Sequence, residues 1–182
     1  MSLPELFPFE LSIARLSESH ILNPNLVDHL DGHIPRVAVY AKNIAEAEEF
    51  DDKIYEILIT CYYHDRPRIH DGDDQEHGKQ AALLISREPI FRCFDVPSMT
   101  FAVEHHADRV APNGKYPIVQ NYIGQKGIDL HVAAALWDAD RLDLIRIPFF
   151  KGRVDPNYLS TEYAKSFANT KKHLSNYKCL NL

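Results

Sequence analysis

The sequence predicts an all-α fold in a single domain, on three observations. Apolar residues recur at helical spacing in one segment after another. No stretch alternates convincingly between apolar and polar residues, as a half-buried strand would. Proline and glycine punctuate the periodic runs, as at Pro67, Pro148 and the connection APNGKYPIVQNYIGQKG. At 182 residues the chain is the size of one domain and can bury a core without disulfide or metal staples.

The elements follow in order. Residues 33–50 carry Val37, Tyr40, Ala41 and Ile44 on one helical face. The next helix covers 53–64, and Pro67 stops it. RPRIHDGDDQEHG is a polar loop leading into a helix over about 76–87. Pro97 and Ser98 start another, which runs through Met99, Ala102, Val103 and His106. After the long connection, a helix over about 128–147 is apolar nearly all round and is expected at the centre of the fold. A last amphipathic helix is expected over about 160–174. The motif-bearing core spans about 30–147 of a domain covering 1–182, with helical extensions at both ends.

Composition narrows the function classes. Hydrophobic residues make up 45% and charged residues 25%, as in ordinary globular proteins. The net charge of -6 argues against a nucleic-acid polymer as partner, while leaving room for a small basic pocket. Cys61, Cys93 and Cys179 are too few and too far apart for a disulfide framework, so a reducing cytoplasm is expected. The start, MSLPELFPFE, lacks the features of a signal peptide, and no apolar run reaches membrane-span length. Its proline-rich LPELFPF stretch can pack against a partner, a second copy of the chain included.

Histidine stands out, with ten residues. Ile57, Leu58, Cys61, His64 and Asp65 share one helical face, so a histidine and an aspartate point into the core. A buried carboxylate needs a compensating partner, either a hydrogen-bonded pair or a metal ion. Taken alone, His64 and Asp65 fit the commoner structural pair. Further ligand-type residues shift the balance. His33 opens the first helix, His77 sits in the first turn of the third, and His106 lies on the face of Met99, Ala102 and Val103. His105 lies equally one turn beyond Ala102. Two aspartates compete on the central helix: Asp140 shares a stripe with Leu130, Ala133, Trp137, Leu144 and Ile147, Asp138 with Ala134, Ala135, Leu142 and Ile145. Histidines and carboxylates on several inward helix faces are how helical bundles build metal sites. Imidazole with carboxylate suits iron, manganese, nickel, cobalt or zinc, and magnesium is a further candidate.

The ordered motifs HIPRV, YHD and DADRLD resemble the H…HD…D signature of the HD-domain metal-dependent phosphohydrolases, over about residues 33–142. That resemblance implies a helical bundle of the HD type. It implies that His33, His64, Asp65 and Asp140, not Asp138, hold one divalent ion. By resemblance to branches with extra histidines, Asp65 would bridge to a second ion held by His77 and His106, the motif favouring His106 over His105. Asp138 and Asp143 are then expected as helix-surface groups or as acceptors orienting a ligand histidine. His20, His29, His70, His131 and His173 fall outside the pattern and are expected as surface, capping or satisfied core groups.

The resemblance also implies the chemistry: hydrolysis of a phosphate ester or anhydride of a small metabolite, a nucleotide first among them, by a metal-activated water. His64 and Asp65 are the central catalytic pair. Arg36, one turn from His33, and Arg66, following the pair, are the expected phosphate partners; Lys79, Arg109 and Arg141 also lie near ligands. The connection over 110–127 is expected to form one wall of the pocket. Two other readings compete. The six-ligand pattern is similar to that of di-iron oxygenases of the same fold, and a non-catalytic nucleotide-sensing domain is a third.

Overall fold

The computed structural model of the chain describes residues 32–69, 74, 76–122, 124–147 and 153–174. Among them are the α-helices α1 His33–Ala47, α2 Ile54–Tyr63, α3 Glu76–Arg87, α4 Val96–His105, α5 Leu130–Asp143 and α6 Glu162–Phe167, and residues 171–174 are helical again. Short 3-10 turns lie between them, and the described residues contain no strand. The chain is all-α, as its periodicity predicts. His20, His29, His70, Pro148, Cys179 and the LPELFPF stretch lie outside the described residues.

Each helix follows from local chemistry. In α1 the stripe Val37, Tyr40, Ala41 and Ile44 is fully buried. Gly32 precedes it at φ 74°, the left-handed region that a side chain disfavours. The Asp95 carboxylate caps α4, accepting from the Ser98 N–H at 3.2 Å and the Ser98 hydroxyl at 2.7 Å. Asp129 caps α5 by accepting from the His131 N–H at 3.0 Å. Its own N–H donates to Ser98 Oγ at 2.6 Å, tying the starts of α4 and α5 together.

Helix α5 is the centre that its apolar composition predicts. Residues Val132 to Ala139 are buried, and α5 packs against α1, α2, α4 and α6. Trp137 is fully buried and donates its indole N–H to the Ala102 carbonyl at 2.7 Å.

Around α5 stand two antiparallel hairpins, α1–α2 and α3–α4. Each brings the first turn of one helix beside the end of the next. The α3–α4 hairpin is pulled tight at Gly78, where a Cβ would sit 2.6 Å from the Glu104 carbonyl oxygen and 2.9 Å from that of Val103.

The last predicted helix is corrected. It does not run unbroken over 160–174: α6 stops at Phe167, and Asn169 takes φ 62°. Tertiary bonds hold it there. Asn169 donates from Nδ2 to the Val154 carbonyl at 2.7 Å and accepts from the Val154 N–H at 2.9 Å. Helical periodicity does not register such a tie. No helix among the described residues is long and apolar enough to cross a membrane.

Candidate metal centre

The open ends of the two hairpins carry four buried histidines. His33 is the first residue of α1 and His64 the C-cap of α2; their Nε2 atoms are 3.2 Å apart. His77 is in the first turn of α3 and His106 is the C-cap of α4; their Nε2 atoms are 2.9 Å apart. The separations along the chain, 31 and 29 residues, are nearly the same, so the hairpins supply equivalent pairs.

The helix ends explain the orientation of these rings. The last carbonyls of a helix lack intrahelical partners. His64 donates its Nδ1–H to one of them, the Cys61 carbonyl, at 2.7 Å, and His106 does the same to Val103 at 2.6 Å. His77 makes the matching bond to the Asp74 carbonyl, also three residues back. A carbonyl only accepts, so Nδ1 carries the proton and Nε2 turns its lone pair inward. His33 is held otherwise: its Nδ1 lies 2.8 Å from Asp143 Oδ2. Asp143 is fully buried and also accepts from Arg36 Nε at 2.7 Å and Arg146 Nη1 at 3.2 Å.

Two carboxylates complete the arrangement. Asp140 Oδ1 lies 3.3 Å from His33 Nε2 and 3.8 Å from His64 Nε2. Asp65 uses both oxygens. Its Oδ2 is 3.3 Å from His33 Nε2 and 3.5 Å from His64 Nε2. Its Oδ1 is 3.1 Å from His77 Nε2 and 3.5 Å from His106 Nε2. Ligand atoms placed about 2.0–2.2 Å from a common ion are themselves about 3.0–3.5 Å apart. The observed spacings are close to edges of that size.

The charges also fit a cation. Nε2 lone pairs face one another across about 3 Å with carboxylate oxygens alongside, and only a proton or a metal ion relieves that contact. Burial, then Arg146, lower the His33 pKa, but hydrogen bonds to Asp140, Asp143 and Asp65 outweigh both and raise it to about 10. His64, one ring away, is lowered to about 4, first by burial and then by His106 and His33 against the pull of Asp65 and Asp140. Asp65 is held well below the carboxylate range: burial acts against this, and His64 and the hydrogen bonds from His106, His33 and His77 outweigh it. Asp140 is lowered likewise, with burial opposing and His33 and His64 prevailing. A buried pair of anionic carboxylates that holds one neighbouring histidine in its protonated form is a site that draws in positive charge, which a metal ion would supply.

All six residues named from the sequence as ligands, His33, His64, Asp65, His77, His106 and Asp140, therefore come together. The described groups able to hold an ion include His33, His64 and Asp140, and His64, Asp65 and His106, with ligand atoms within 4.8 Å of one another. Asp140 is the most open of the six, its side chain 20% exposed.

Other residues fall outside the ligand set. His105 lies 2.9 Å from Asp108, which also accepts from the Tyr122 hydroxyl at 2.7 Å, so its described bonds stay at the rim. Asp138, two residues before Asp140, is spent on the backbone N–H groups of Ser160 and Thr161. Arg36 is buried against Asp143 and supports His33 from behind. Arg66 lays its guanidinium over the rings of Tyr62 and Tyr63, at 5.5 and 5.2 Å. Lys79 pairs with Glu76 at the surface, and Arg141 donates to the carbonyls of Tyr158 and Pro117, each at 2.7 Å. That last bond anchors the connection expected as a pocket wall. His131 stacks on Phe50 with ring centroids 4.2 Å apart, and His173 is a satisfied core group.

One residue was not singled out by sequence reasoning. Arg68 brings Nη1 to 3.1 Å from His77 Nε2 and 3.5 Å from Asp65 Oδ1. Its position three residues after Asp65, in the turn where the Arg68 N–H donates to the Asp65 carbonyl at 3.0 Å, was the available signal.

The chain matches no family model, no curated protein and no solved structure.

Proposed function

We propose that the protein is a metal-dependent phosphohydrolase acting on a small phosphorylated metabolite, with nucleotides the first class to test. The observation that carries the reading is the Asp65 carboxylate, whose two oxygens face two different histidine pairs. In this reading His33, His64, Asp65 and Asp140 hold one ion, and Asp65, His77 and His106 hold another. A pair of divalent ions supplies Lewis acidity and a water acidified from about 15.7 toward about 7. The protein does the rest through position. The Nδ1 bonds fix each imidazole in the tautomer that binds metal, Asp143 and Arg36 brace His33, and α5 offers Asp140. Phosphoryl transfer asks mainly for positioning and charge neutralisation, which suits such a centre.

The first test is metal content per chain, by elemental analysis of protein purified without chelator, beside Asp65→Ala. One or two equivalents of a transition metal are expected in the wild type, with loss in the variant. The loaded protein is then given a panel of nucleotides and phosphoesters. Metal without phosphate release from any member, while a reference hydrolase is active, would sink the hydrolase reading.

The same six-residue set supports a second reading, a di-iron oxygenase. Oxygen uptake by the iron-loaded protein with an organic substrate, and no phosphate release, would favour it.

A further inference from the structure

The two halves of the centre differ in what already neutralises them. In the half formed by Asp65 Oδ1, His77 and His106, the imidazole Nδ1 atoms are committed to carbonyls, so three acceptor atoms converge. Arg68 Nη1 sits against this triangle, 3.1 Å from His77 Nε2, 3.2 Å from His77 Nδ1 and 3.5 Å from Asp65 Oδ1. A guanidinium cannot shed its proton near neutral pH. An ion about 2 Å from each of the three ligands would therefore lie close to a permanent positive charge.

We propose that Arg68 is the resident cation of the Asp65–His77–His106 triangle, so that the second metal ion enters only by displacing it. The inference rests on the metal reading above. Arg68 is held at the edge of the site by Asp65 and His77. Its side chain is 13% exposed and lines a cleft of about 460 Å³ bounded by Pro67, Ile69, Gln80, Leu83 and Arg87. The guanidinium can swing into that cleft when an ion arrives. The centre thus fills in order, the His33–His64–Asp140 half first. Arg68 sets the metal concentration at which the pair is complete.

The test is equilibrium dialysis of Mn²⁺ against chelator-treated full-length protein, comparing wild type with Arg68→Met and Arg68→Lys. Methionine keeps the apolar stem without charge; lysine keeps the charge. The first ion should bind with the same affinity in all three, within about twofold. The second should bind at least about tenfold more tightly in Arg68→Met than in wild type, and remain weak in Arg68→Lys. The electron-spin signal of a coupled Mn²⁺ pair should accordingly develop at lower Mn²⁺ in Arg68→Met. A second ion bound equally or more weakly in Arg68→Met would overturn the proposal, as would a wild type that takes both ions with equal affinity. One ion in every protein and never a second overturns it while leaving the first site standing. No ion in any of them overturns the metal reading as well.

Discussion

Asp140 offers an oxygen 3.3 Å from His33 Nε2, while Asp138, two residues earlier on α5, accepts from the N–H groups of Ser160 and Thr161 at 2.8 and 2.7 Å. Both sit on apolar stripes, so periodicity alone left them equivalent, and only the order of the HIPRV, YHD and DADRLD motifs separated them. Opposite losses should distinguish them. Asp138→Ala strands two buried N–H donors and should cost roughly 2–4 kcal/mol of stability while metal content holds. Asp140→Ala should release metal with little change in the melting midpoint of the metal-free protein. Calorimetry beside elemental analysis decides, and a metal-depleted Asp138→Ala with normal stability would reverse the assignment. Side-chain type and spacing told which residues want a cation, as at His64 and Asp65. They did not tell how arginines would be spent. Arg36 serves Asp143, and Arg68 faces His77, because those contacts depend on a turn and on a helix 107 residues away.

At the scale of elements, the site is two helical hairpins with a pair of histidines at each open end. The positions of α1 to α5 were legible because apolar residues recur at helical spacing in each, and on nearly every side in α5. The close approach of α3 to α4 within its hairpin was not, because it depends on one absent side chain. Gly78 lies inside α3, where glycine is ordinarily less favourable than alanine by about 1 kcal/mol. Here its missing Cβ lets the Glu104 carbonyl approach to within 2.6 Å of where that carbon would be. Gly78→Ala should therefore destabilise, against the propensity scale, by roughly 1–3 kcal/mol. It should also push His77 away from His106, so that metal per chain falls while the first ion remains. Thermal unfolding and elemental analysis of this variant measure both effects; a gain in stability would mean that the approach is not tight.

Across the whole molecule, the segment after α6 is fastened to the core by His173 rather than by helix continuity. His173 Nδ1 accepts from the Asn169 N–H at 3.0 Å, and its Nε2–H donates to the Leu142 carbonyl at 3.0 Å. Its ring packs against Tyr40 and Phe167, with centroids 5.8 and 5.2 Å away. An imidazole that accepts at one nitrogen and donates at the other is neutral. Burial lowers its pKa below the ordinary 6.5, and the Leu142 bond and Asp143 only partly oppose this. The unfolded chain therefore binds a proton at this histidine at a higher pH than the folded chain does. Its contribution to stability is complete above 6.5 and is lost as the pH falls toward the lowered folded value. His33 and His64 titrate on their own account, so the wild-type profile alone is a sum. The difference between wild type and His173→Gln isolates this one group, since glutamine can donate to Leu142 without taking up a proton. In chelator-treated protein, the stability advantage of wild type over His173→Gln should shrink between about pH 7.5 and pH 5. Urea titrations across that range measure it, and a constant difference would show that His173 carries no pH dependence and that the segment is held by packing alone.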